Sequence, residues 1–115
     1  PHPRTKPRLL GTMRHILVFA VLVAAIGCGE DARVDTIVAL DGDATNGESL
    51  YTAQCVPCHG ADGTGGSEPE SIAGEASDPS GTAQIILKGE DSMAAYEDVF
   101  SDQEIADIIA FMRSW

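Results

Sequence analysis

Apolar positions fall along this chain in four blocks of different character. The first, Ile16 to Ile26, reads ILVFAVLVAAI, an uninterrupted apolar run of 11 residues. It is too short to span a bilayer, which takes roughly 20 residues, and has the length of the hydrophobic region of an export signal. The second is a small patch, Thr36 to Leu40, inside a stretch rich in Asp, Gly and Ala. Without a sustained period it is expected to be a tether over 28–43; docking of Ile37, Val38 and Leu40 as a short extended piece is the alternative. Fifteen such residues extend at most about 50 Å.

Three later segments carry helix punctuation, the last two of them being the third and fourth apolar blocks. Thr45 and Glu48 have capping-box spacing, with Asp43 as the alternative cap, and predict a helix running into Cys55. Asp78-Pro79 reads as an N-cap with Pro at the first helical position, Ala83, Ile86 and Leu87 share one side, and Gly89 closes the segment. Ser101 and Glu104 form a second capping box, with Phe100 and Ile105 as its hydrophobic staple. Ile105, Ile108, Ile109 and Met112 follow at i, i+3, i+4 and i+7, the apolar stripe of a buried helix face. Between the first and second of these predicted helices, residues 60–77 form a glycine-rich acidic loop with neither calcium-loop nor phosphate-loop spacing.

Charge divides the chain. Four of its seven basic residues, Arg4, Lys6, Arg8 and Arg14, precede the apolar run, and no acid occurs before Glu30. From Cys28 onward three basic residues face all eighteen acids, in a chain of 115 residues with net charge −11. Such a balance excludes a nucleic-acid binder, which needs clustered Lys and Arg to neutralise phosphates. Basic residues, then an apolar run, then small residues predict a signal peptide over 1–27, with Met13 as an alternative start. Its end, Ala24-Ala25-Ile26-Gly27-Cys28, resembles a bacterial lipobox, which implies lipidation of Cys28 and attachment to the periplasmic side of a bacterial membrane. A soluble periplasmic protein is the alternative.

Three cysteines are too few, and too odd in number, for a disulfide scaffold. Cys55-Val56-Pro57-Cys58-His59 has the C-x-x-C-H spacing of c-type haem attachment: two thiols for two vinyl groups, and an imidazole for the iron. A thioredoxin-like pair would need a βαβ setting, and the alternating β-branched runs for it are missing. Zinc would need further Cys or His ligands, whereas His2 and His15 lie in the predicted leader and His59 is the remaining histidine. For the sixth iron ligand there are two methionines after the leader: Met112 belongs to the apolar helical stripe, and Met93 follows Gly89-Glu90-Asp91-Ser92 in a loop.

Gly47-x-x-Leu50-Tyr51 before the cysteines, and the glycine-rich run after His59, closely resemble the class I c-type cytochromes, small monohaem proteins, over residues 41–115. The resemblance implies an all-α domain, placed at 44–115, of three to four helices around one covalent haem c. It implies axial ligation by His59 and Met93, although Met93-Ala94-Ala95-Tyr96 lacks the proline that follows the family's methionine. It implies that the first and last helices cross, with Ile108 and Phe111 near Gly47 and Tyr51. A carbonyl at Pro69 or Ile72 is expected to accept the His59 N–H. The expected function is a one-electron carrier, not an enzyme, in an exported respiratory or photosynthetic chain, meeting redox partners with basic docking faces. A haem-based sensor, or the subunit through which electrons enter a larger membrane oxidoreductase, is the alternative.

Overall fold

The computed structural model describes Pro3 and residues 31–115; the predicted leader and Cys28 lie outside the described residues. Five α-helices occur among these: α1 (Ala32–Ala39), α2 (Ala44–Gln54), α3 (Val56–His59), α4 (Pro79–Lys88) and α5 (Asp102–Met112). A 3-10 turn, Glu75–Ser77, precedes α4, and no strand is present among the described residues, so the all-α expectation holds.

Residues 32–39 are a correction to the sequence reading. The expected tether is, in this part, a docked helix; the docking alternative holds for Ile37, but on a helix and not an extended piece, and with Val38 and Leu40 exposed. Asp31 caps α1 by accepting a hydrogen bond from the Arg33 N–H at 2.8 Å, and Val34 and Ile37, three residues apart, are 0% and 1% exposed. They pack the helix onto α4 and α5. A pair at i and i+3 is too short a stripe to stand out in a sequence, and Val, Thr and Ile lower its intrinsic helix propensity. Tertiary burial decides this element.

The caps of the other helices follow the sequence with one choice resolved. Asp43, not Thr45, caps α2, its carboxylate accepting from the N–H groups of Thr45 and Asn46. Asp78 caps α4 through Gly81 N–H, and Ser101 caps α5 through Glu104 N–H at 3.1 Å. The Ser101 hydroxyl also donates to Glu104 Oε1.

Helices α2 and α5 make the most extensive contact in the fold. Gly47 is the reason: a Cβ there would strike the backbone of Asp107 and Ile108, so only glycine lets the two helices come this close. Tyr51 and Phe111 meet across the crossing with ring centroids 5.4 Å apart. Asp107, 3% exposed within this apolar contact, accepts hydrogen bonds from Asp43 N–H, Asn46 Nδ2 and Gln103 Nε2, each at 2.8 Å. Burial pushes its carboxyl upward, but these three donors outweigh that and hold it below the usual carboxylate range.

Candidate haem site

Helix α2 passes through Cys55 directly into the single turn of α3, where the Cys58 and His59 N–H groups both donate to Cys55 O, at 3.2 and 2.9 Å. Residues three and four apart share one face of a helix, so this turn gathers the two thiols and the imidazole. The carbonyls left open at its end are closed by the following loop. Pro57 O accepts from Ser67 N–H, Cys58 O from Glu68 N–H, His59 O from Gly65 N–H, and Gly60 O from the buried Tyr51 hydroxyl at 2.8 Å. Burial pushes the Tyr51 phenol up to about 12, so the hydroxyl keeps the proton it donates.

Cys55, Cys58 and His59 line a cleft of about 510 Å³ whose other walls come from Ile72, from Thr82, Ile85 and Ile86 of α4, from the Glu90–Ala94 loop with Tyr96, and from Ile108 and Met112 of α5. Met93 is half-buried on this cleft. All four residues expected at the iron and the thioethers thus face one space. Met112, expected in the core, is buried there and also reaches the cleft wall.

Met93 lies in a loop pinned without proline. Glu90 and Met93 exchange backbone hydrogen bonds of 3.3 and 2.8 Å around a turn in which Asp91 has φ 49°. Gly89, at φ 73°, lets the Met93 carbonyl pass where a Cβ would collide with it. Further on, Tyr96 N–H donates to Ile86 O and Glu97 N–H to Leu87 O, stitching the loop to the end of α4.

The donor set fits haem c and not its rivals. His59 Nδ1 is buried with no hydrogen-bond partner among the described residues, an unmet requirement that marks a functional imidazole and not a packed one. Burial, and next the neighbouring Cys58, push the Cys55 thiol up to about 11, opposite to the lowered pKa of a redox-active C-x-x-C pair. No group of three His, Cys, Asp or Glu able to hold a metal ion exists among the described residues, which disfavours zinc. One expectation fails: neither Pro69 O nor Ile72 O accepts from His59 Nδ1. Pro69 is exposed, and the Ile72 carbonyl is taken by Glu75 N–H at the start of the 3-10 turn.

Two residues that tie together the elements around the site were not singled out from sequence. Asp107 carried a signal, an acid inside an apolar stripe with Gln103 four residues before it. Arg33 carried none, since its partners are more than sixty residues away.

Comparison with known proteins agrees with this geometry. Residues 42–112 match the family model described as cytochrome C oxidase, cbb3-type, subunit III. A cytochrome c-553-like protein of Synechocystis sp. is 29% identical over 86 residues, covering 73% of this chain and 80% of the relative. Among solved structures, cytochrome cL of Hyphomicrobium denitrificans superposes with TM-score 0.53 at 22% identity, over 61% of this chain and 45% of that one. Cytochrome cL of Methylophaga aminisulfidivorans gives TM-score 0.52 at 25% identity, over 76% and 59%. The chain therefore spans less than two thirds of either solved protein.

Proposed function

Because the chain belongs to the family of cytochrome c oxidase, cbb3-type, subunit III, and is a small class I c-type cytochrome with covalent haem c, we propose that Cys55 and Cys58 form the thioethers and His59 and Met93 the axial ligands of a one-electron carrier. The observation that carries this reading is the meeting of all four side chains on one cleft. Bound haem c supplies a reversible ferric/ferrous couple.

The protein's own residues do the rest. Cys55 and Cys58, on one turn, fix the group to α3, and His59 is held beside them by its bond to Cys55 O. A thioether at Met93 raises the potential relative to a second imidazole and closes the remaining position to substrate. Ile86, Tyr96, Ile108 and Met112 form apolar wall and exclude water. Glu68, Glu70, Glu75, Glu90 and Asp91 stand at the same cleft, so a partner with a basic face is favoured and association weakens with salt. The pairing of Glu90 with Met93 supports a closed carrier over a gas sensor that must release Met93.

Met93→Ala is the test. It should abolish the ferric thioether charge-transfer band, lower the potential and open the ferrous iron to carbon monoxide. Retention of the band, or fast carbon monoxide binding by the unmutated protein, would overturn the ligand assignment. The family description favours a second reading in which the same carrier delivers electrons within a membrane oxidase. Co-migration of haem c with a terminal oxidase on native gels separates it from a free shuttle. Export to the periplasmic face and a lipid on Cys28 complete the proposal, supported by the lipobox resemblance. Cys28→Ser should release the protein from membranes with its haem spectrum unchanged, and equal membrane retention would sink the anchor.

A further inference from the structure

Arg33 joins α1 to a distant segment from outside the cleft. Its guanidinium reaches three points at once: Nη1 donates to Glu97 O at 2.7 Å, Nη2 to Phe100 O at 3.0 Å, and Nε to Asp102 Oδ1 at 2.6 Å. Both carbonyls belong to the segment that leads from Met93 to α5, and neither has a helix to satisfy it. Lys88 adds a second tie, pairing with Glu97 at 2.6 Å and with Asp31, the cap of α1, at 3.1 Å. Val34 and Ile37 seat α1 in the core, so the guanidinium is presented from a fixed base. Neither Arg33 nor Lys88 lines the cleft.

We propose that α1 is a strap for the sixth-ligand loop, with Arg33 as the positioning residue that holds the Met93–Phe100 segment in place from outside the cleft. The inference rests on Met93 being the ligand. It assigns to a helix at the other end of the sequence the restraint that a proline after Met93 would have given locally. Three hydrogen bonds from one planar fork fix both position and orientation, which a lysine cannot reproduce. The loop's ties to the end of α4 lie before Asp98, and beyond it the Val99 and Phe100 N–H groups bond back within the segment, to Tyr96 O. Arg33 supplies the tie to the rest of the segment.

The test uses the full haem-loaded chain with Arg33→Met and Arg33→Lys, read by amide hydrogen exchange and by urea titration of the ferric thioether band beside the helical circular dichroism. In Arg33→Met the Tyr96 and Glu97 amides should exchange about tenfold faster, the effect of losing a hydrogen bond to a charged group, while the Cys55 amide is unchanged. The band should disappear at lower urea than the helices, with Arg33→Lys between the two. If band and helix signals move together, or if the Tyr96 and Cys55 amides accelerate equally, Arg33 is a stability residue only and the strap is overturned. Should Arg33→Met fail to fold, Arg33→Lys is judged by the same criteria. A wild-type ferric protein without the band overturns the Met93 reading, and amide exchange alone then decides the strap.

Discussion

The two sides of the cleft are built on different principles. On the attachment side, residues 55–72, nearly every restraint is local: a helical turn gathers Cys55, Cys58 and His59, and the next dozen residues cap its carbonyls. On the Met93 side, residues 89–100, the turn itself is local but its placement comes from elsewhere, from Ile86 and Leu87 of α4, from Lys88, and from Arg33 more than sixty residues earlier in the chain. Local restraint survives disturbance of distant elements, whereas imported restraint does not. The attachment side should therefore persist under mild perturbation, and the Met93 side should loosen first.

The largest effect is expected from removing the attachment side altogether. The double variant Cys55→Ala, Cys58→Ala leaves a cleft of about 510 Å³ in a domain whose core is a few buried side chains per helix, and small domains have little stability in reserve. Little folded protein should accumulate, as measured by expression and circular dichroism. Normal yields of folded, haem-free protein would mean that the helices suffice and that the cofactor is not core.

The same division explains what was legible in the sequence. C-x-x-C-H, the Asp78-Pro79 and Ser101 caps, the stripe from Ile105 to Met112 and the glycine at the crossing are patterns within a turn or two, or carried by a family resemblance, and each appears in the structure. Asp43 caps because its carboxylate accepts from Thr45 N–H and Asn46 N–H, whereas a Thr45 cap would have had to accept from Gly47 or Glu48 N–H, and both readings are compatible with the spacing. Helix α1 looks like a tether in sequence because it rests on two buried residues and one arginine, whose meaning exists only once α4 and α5 are in place. The acceptor expected for His59 failed for the converse reason: a resemblance supplied the role, but Ile72 O in this chain is committed to Glu75.

Met93 and Met112 sharpen the comparison because both reach the cleft, one from the Met93 loop and one from the helix beneath it. Met112→Ala should cost roughly 2–5 kcal/mol as a cavity in the core while keeping the ferric thioether band. Met93→Ala, on a half-buried loop, should lose the band with a smaller stability cost. Thermal unfolding and visible absorption of the two variants give the double dissociation, and a reversal of the pattern would exchange their roles.

Gly47 lies where neither side of the cleft can be spared. At an exposed helical site Gly→Ala would stabilise by about 1 kcal/mol through propensity. Here the added Cβ meets the Asp107 backbone, and overpacking of this kind costs about 1–3 kcal/mol. Gly47→Ala should therefore be destabilising, and in urea the thioether band and the helical signal should fall together, because the crossing supports both sides. A stabilised Gly47→Ala protein would show that α5 can yield and that the close approach is not required.

Asp107 yields an effect of the same order, and the one with a direction in pH. Its folded-state carboxyl is held below the usual range by three donors that outweigh its burial. A depressed carboxyl pKa contributes stability that is present above the unfolded value of about 3.9 and is lost as pH falls through the folded value. Asp107→Asn removes the charge and turns an NH2 group toward Asn46 Nδ2 or Gln103 Nε2, so either a donor loses its acceptor or the facing amide flips and a charge-assisted bond becomes a neutral one, a cost of about 1–3 kcal/mol near neutral pH. Protonation of Asp107 in the wild type removes the same charge, so the gap between the two proteins should narrow as pH falls through the folded value. Urea midpoints from pH 7 down to pH 3 measure it. A constant gap over the lower part of that range would mean that Asp107 has not yet titrated, or that its role is shape and not charge. A gap that widens toward low pH would contradict the sign of the depressed pKa itself.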